Sequence, residues 1–319
     1  MTTQQILGAG LAVQVALAAL TWWPRDTAVT EPQPLVAGGG NALTHVEIVG
    51  HGDDARPVVL DQQDGAWVLT SEHGYPADPE KVGEVLDALG GIQLRAPVAT
   101  QAVSHEALKV SDDTWEKKIT FTADGATRTV FVGAAASKAI HLREEGADAV
   151  YKAKGLSAWT FKDTARGFLP ANHADLEVAD LASLRVRNSH GDIAFAKVDG
   201  AWTVEGDPTR VPVQTTLDGL LDKVAKVRLD SVVGTEVTAD QGLLDPAVRV
   251  EWATTEGDQT VPGGLVVGAE DDGKFFLKTD ASPFVILSPS YRIKDLVDAD
   301  PAALTTAAPE PTPEPAPTP

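Results

Sequence analysis

Asp64-Gly65-Ala66-Trp67 and Asp199-Gly200-Ala201-Trp202 are one four-residue phrase met twice, at an offset of 202 − 67 = 135 residues. The match runs on past the phrase. Val82, Val85, Leu86 and Leu89 align with Leu217, Leu220, Leu221 and Val224, and Val132-Gly133 aligns with Val267-Gly268. A register kept without a gap through a turn, a helix and a strand predicts one α+β module duplicated in tandem.

Working outward, each copy reads as hairpin, helix, then meander. Val46 and Ile48 alternate with polar neighbours at strand period, and Val58-Val59-Leu60 is a second short strand. Asp64-Gly65 supplies a tight turn, because glycine takes positive φ without steric cost. Trp67 in the returning strand is expected to plug the space between hairpin and helix. Asp78 and Pro79 suit the cap and first position of a helix whose apolar stripe is Val82, Val85, Leu86 and Leu89. Gly90-Gly91 is expected to end it with a left-handed cap. A helical turn is expected near His105–Lys109. Strands are expected at Lys118–Thr122, Thr127–Val132, Ala139–Arg143 and Ala149–Lys152, and an apolar helix from Leu156 to Phe168. The second copy repeats this from Leu181. Its first turn is three residues shorter, its helix runs over about Val213–Val227 with a weaker cap, and a short helix follows at Tyr291–Val297. Lys117-Lys118 reads as a solvated strand edge.

The ends differ in character. Ile6 to Trp23 is apolar except for Gln14 and Thr21, about the roughly 17–25 residues that span a bilayer, with Trp22-Trp23 at its border. A retained anchor is favoured over a cleaved signal peptide. No Lys or Arg precedes the span and Arg25 follows it. The chain thus divides into a membrane anchor or signal segment (1–24), a flexible linker (25–42), a first α+β module (43–170), a connector (171–180), a second α+β module (181–304) and a disordered Pro-rich tail (305–319). The fold class is α+β, each module being an antiparallel sheet packed with one long and one short helix, behind an N-terminal transmembrane helix.

Charge narrows the partners. With 46 acidic and 26 basic residues the chain carries −20, and no Lys/Arg cluster is evident along the sequence, which argues against nucleic acid. Cysteine is absent, which removes disulfides, thiol chemistry and Cys-ligated metals. There is no phosphate loop, no G-x-S-x-G and no H-E-x-x-H. His45, His51, His73, His105, His141, His173 and His190 show no metal-ligand spacing, and Asp53-Asp54, Asp112-Asp113 and Glu270-Asp271-Asp272 do not alternate as a calcium loop requires. No catalytic, cofactor or metal residues are assigned, and no cofactor is expected.

The chain resembles the bacterial family catalogued as domain of unknown function 4340. The resemblance is carried by Trp67-Val68-Leu69 leading to Ala77-Asp78-Pro79-Glu80-Lys81-Val82, by Gly242-Leu243-Leu244-Asp245-Pro246, and by the two Val-Gly phrases. The first copy departs from it, with Ala107-Leu108-Lys109-Val110 in place of a Gly-Leu-Asp-Pro element. The resemblance implies a single-pass cell-membrane protein, mostly extracytoplasmic (periplasmic), with ABC-type transporter subunits as partners and the membrane met through residues 6–23. It supplies no catalytic residues. A non-catalytic accessory or scaffold is therefore the expectation. The alternative is a ligand or glycan binder, with a groove between the modules and Trp115 and Trp252 as stacking surfaces. A hydrolase assembled from both modules ranks last.

Overall fold

The computed structural model describes residues 31–309 apart from Asp53, Ala136, Ser137 and Asp258. The expected anchor (residues 6–23) and residues 310–319 of the tail lie outside the described residues, among which no helix is long and apolar enough to cross a membrane.

The described chain is α+β and mainly β: two eight-stranded antiparallel sheets with few helices. The first sheet takes β1 (Leu43–Gly50), β2 (Val58–Gln63), β3 (Ala66–Leu69) and β4 (Tyr75–Pro76), then helix α1 (Pro79–Gly90), then β5 (Lys117–Ala123), β6 (Ala126–Ala135), β7 (Ala139–Glu144) and β8 (Val150–Lys154). The second takes β9 (Leu181–Asn188), β10 (Gly191–Val198) and β11 (Ala201–Val204), then α2 (Gln214–Ala225). It continues with β12 (Ser231–Gly234), β13 (Val248–Glu256), β14 (Gln259–Asp271), β15 (Lys274–Thr279) and β16 (Val285–Pro289), and ends on α3 (Ser290–Val297) and α4 (Pro301–Leu304). The spatial orders are β8-β7-β6-β5-β1-β2-β3-β4 and β12-β16-β15-β14-β13-β9-β10-β11.

The local chemistry explains the elements. Asp64 and Gly65, and again Asp199 and Gly200, both take positive φ, the twist a two-residue hairpin needs. The Asp78 carboxylate accepts from the amides of Glu80 and Lys81 at the start of α1, and Pro79 occupies the first position. Val82, Val85 and Leu89 are buried, as are Leu217, Leu220, Leu221 and Val224 of α2. At about 1.5–3 kcal/mol per fully buried aliphatic side chain, these stripes hold the helices to the sheets. α2 has no side-chain cap; instead the Val213 amide donates to the Leu304 carbonyl.

The strand pairings of the two sheets run parallel in number. Gln62 lies opposite Trp67 and Lys197 opposite Trp202. Val132 lies opposite Leu142 and Val267 opposite Leu277, while Ala99 bridges Val150 and Gly234 pairs with Val285. The spacing between sheets is not gapless, however. The β5–β6 hairpin holds seven residue pairs and the β13–β14 hairpin nine. The segment from Ala99 to Lys117 is longer than that from Gly234 to Val248 by the same four residues, so the two changes cancel. The Val-Gly glycines have a common cause. A Cβ at Gly133 would overlap the carbonyl of Leu108, and one at Gly268 the carbonyl of Gln241, so each strand is crossed closely by the loop that precedes it.

Several expectations need correction. Residues 33–42 are not a free tether: Gln33–Pro34 pairs with Gln93–Leu94, and Leu35 and Val36 are buried. Gly39 and Gly40 lie against α1, where a Cβ at Gly90 would overlap the Gly40 amide. Gly91 is right-handed, so the glycine pair serves this contact and not a left-handed cap. Leu156 to Phe168 is not a helix. It forms two 3₁₀ turns, Ala158–Thr160 and Ala165–Gly167, that leave Phe161 and Phe168 buried. Residues 105–109 form the hydrogen-bonded turn expected there, with the Leu108 amide donating to the Ser104 carbonyl, and a 3₁₀ turn at Ala102–Ser104 leads into it. Lys117 is not on an edge, since β5 lies between β6 and β1. Trp67 is half-buried beside the core. Thr305–Ala307, assigned to the tail, pairs with Arg210–Pro212.

Two glycines of α1 give opposite expectations. Gly83 has open space at its Cβ position, so Gly83→Ala should stabilise by about 0.5–1 kcal/mol. Gly90→Ala should cost about 1–3 kcal/mol by driving the Gly39–Gly40 backbone off the helix. Urea denaturation midpoints of the two variants check both signs.

Candidate functional site

One end of the first sheet is open and polar. Gly50 ends β1 opposite Lys117, the first residue of β5. A side chain at position 50 would overlap the Asp163 carboxylate, so glycine there lets Asp163 reach the Lys117 ammonium. Lys117 is only 8% exposed, and its ammonium also lies 5.9 Å from the centre of the Trp159 indole. Trp159 is 85% exposed. Asp163 lines a hollow of 530 Å³ with His51, Arg56 and Glu72, and Lys117 and Trp159 line a neighbouring one of 300 Å³. Burial raises the Glu72 carboxyl above its ordinary value, against the charges of His73 and Arg56. The His51 ring stands edge-on to Trp115, with centroids 5.3 Å apart.

This end combines an indole face with a shielded ion pair and a carboxyl that holds its proton more readily than usual. Such a surface binds a ligand that has both an apolar face and hydrogen-bonding groups. The corresponding end of the second sheet is closed. The Asn188 side-chain amide donates to the carbonyls of Leu296, Val297 and Ala299, fixing the end of α3 over it.

The residues considered from sequence are dispersed. His105 is buried on the Asp148 carbonyl, His141 sits in β7, and His73 and His190 occupy turns. Among the described residues no group of three His, Cys, Asp or Glu side chains could hold a metal. One hydroxyl, one imidazole and one carboxylate do meet: His45 Nδ1 lies 2.7 Å from Asp61, which also accepts from Thr70. Burial pulls the Asp61 carboxyl upward, but the bonds to Thr70 and His45 hold it below its ordinary value. The carboxylate stands between the other two, so the imidazole does not face the hydroxyl as a relay requires. Asp112 pairs with the buried Arg143, and Glu270 accepts from Ser290. Of the tryptophans singled out as stacking surfaces, Trp252 is 9% exposed and Trp115 half-buried. Among the described residues Trp159 is the exposed tryptophan. It was hidden by the expectation of a helix there.

The match to known proteins spans both sheets. Residues 67–246, more than half of the chain, match the family described as Domain of unknown function (DUF4340). The chain belongs to that family. No curated protein and no solved structure matches it. In this DUF4340 member the matched segment begins at Trp67 in β3 and ends at Pro246, just before β13.

At the junction between the halves, side chains from both meet the connector. The Tyr75 hydroxyl lies 2.7 Å from His173 Nδ1, His173 Nε2 lies 3.1 Å from the Thr279 hydroxyl, and the rings of Tyr75 and Phe284 are 4.8 Å apart. The chain is satisfied when Tyr75 donates to Nδ1 and Nε2–H donates to Thr279, which needs a neutral ring. Burial, and then the charge of Lys278, lowers His173 to about 4, while burial raises Tyr75 to about 12.

The unfolded chain takes up a proton at a histidine near pH 6.5, and the folded His173 only near 4. Its contribution is therefore complete above pH 6.5 and lost as pH falls toward 4, with a slope of up to about 1.4 kcal/mol per pH unit. Melting temperatures across that window should fall less steeply in His173→Gln than in the native chain.

Proposed function

We propose that this DUF4340 member is a non-catalytic accessory or scaffold protein, held at the cell membrane by a single pass through residues 6–23. Its two sheets lie on the extracytoplasmic, periplasmic side, against subunits of an ABC-type transporter. The observation that carries this reading is the apolar run Ile6–Trp23 placed ahead of a folded unit built mainly of sheet. Family membership adds support, as does the open end of the first sheet, whose shielded ion pair and projecting indole suit contact with a partner.

The two sheets are read as copies of one ancestral α+β unit. The supports are the shared strand order, the parallel pairings of Trp67 and Trp202, and the equivalent crossings at Gly133 and Gly268. Duplication followed by closure of the second copy's end would leave a single recognition surface per chain.

A second reading is favoured by Trp159 alone. An indole at 85% exposure beside Lys117 and a 300 Å³ hollow is a stacking platform for a glycan. In this reading the site lies at the end of the first sheet, and not between the halves.

Cell fractionation and cross-linking separate these readings. The full chain should pellet with membranes and resist extraction by salt. Deletion of residues 6–23 should release it, and cross-linked, detergent-extracted chain should carry a transporter subunit. A chain that is soluble, or that is recovered alone after cross-linking, would overturn the accessory role. In that case a change in tryptophan fluorescence on titration with soluble glycans, absent in Trp159→Phe, would establish the second reading.

A further inference from the structure

A group of three cations lies away from the open end. A hollow of 630 Å³ is bounded by the end of α1, the segment Gly91–Arg95 and the edge strand β8. Arg95, Lys152 and Lys154 line it, all exposed, over an apolar floor that includes Ile92 and Ala153. Asp87 is the one carboxylate on its wall. Lys117, Lys118, Lys226 and Lys274 are each paired with a carboxylate, but among the described residues none of these three forms an ion pair.

Three cations without an ion pair line one hollow from two separate segments, on a chain of net charge −20. The fold does not require them. By strand pairing, Lys152 and Lys154 correspond to Leu287 and Pro289 in the second sheet. Arg95, four residues before the Ala99 bridge, corresponds to Asp230, four before Gly234. Asp230 is acidic and paired with Lys274 at 2.7 Å. Lysines on β8 also discourage strand-to-strand association. That role does not call for Arg95, which lies off the strand in the neighbouring segment.

We propose that this hollow binds a phosphate ester. The Arg95 guanidinium offers a planar fork that matches two phosphate oxygens, and Lys152 and Lys154 supply compact charge from the edge strand. Asp87 and the carbonyl end of α1 turn the anion toward the cations. The volume exceeds that of a single phosphate, so the rest of the ester occupies the apolar floor. The ester is either a soluble metabolite-like anion or the headgroup of an anionic phospholipid.

Calorimetric titration of the full chain in dodecyl maltoside distinguishes these sources, with inorganic pyrophosphate in one arm and dihexanoylphosphatidylglycerol in the other. Saturable binding in either arm is expected, weakening as salt rises. It should be at least about tenfold weaker in the triple variant Arg95→Gln, Lys152→Gln, Lys154→Gln, and unchanged in Arg185→Gln, Arg187→Gln. Binding of pyrophosphate alone assigns a soluble ester, and binding of the lipid alone a headgroup. No saturable binding in either arm, or binding that the triple variant retains while its melting temperature is native, overturns the proposal. The outcome is independent of whether a transporter subunit is captured.

Discussion

Each sheet is joined at its centre by a long-range pairing. β1 meets β5 and β9 meets β13, across the whole of the intervening hairpin, helix and loop. The other neighbours in each sheet are partners that sequence proximity delivers cheaply, except β12, which reaches β16 across the intervening β13, β14 and β15. The central pair carries the ordering cost of some seventy residues, and it is met by the deepest apolar positions: Val46, Ile48, Ile119 and Phe121 in the first sheet, and Leu184, Val186, Val248 and Val250 in the second. The apolar stripes of helices α1 and α2 join the same buried cluster as this pair. Register at the centre is firm because a slip of one residue would turn these side chains to the opposite face.

The close crossings follow from the same geometry. The chain must return from helix to central strand, and it does so over β6 or β14, near enough that only glycine fits beneath it. The junction between halves is built differently. It includes a few directed bonds through the connector's His173 and from the Arg166 guanidinium to the Leu229 carbonyl. The core itself runs on across the junction, so the two sheets share one apolar cluster.

Much of this was legible in the chain. Period-two alternation marked the strands, the spacing of Val82, Val85 and Leu89 marked α1, and the Asp-Gly turns took the positive φ their chemistry favours. What escaped reading were contacts between residues distant in sequence. The composition of residues 33–42 resembles a tether, and only the presence of α1 beneath Gly40 makes it ordered. Leu156–Phe168 has the apolar content of a helix, yet its apolar residues serve separate pockets, which two tight turns satisfy better than a continuous spiral. Trp159 was lost with that reading. The cationic hollow was invisible for a related reason: Arg95 and Lys152 are unremarkable singly, and only the folded chain makes them neighbours. The constant offset between the Trp and Val-Gly phrases concealed two length changes because they cancel.

That cancellation has a geometric result. The two additional residue pairs of the β13–β14 hairpin extend it by about 7 Å at the usual strand rise, and residues 259–262 near its tip are exposed. The first sheet spends its matching four residues in the Ala99–Lys117 loop, which folds back over Phe131 and Val150 as a small separate cluster. One half is thereby thickened and the other given a prong. Two scaffolds of the same weave end up with different silhouettes, a flank on one and a reach on the other.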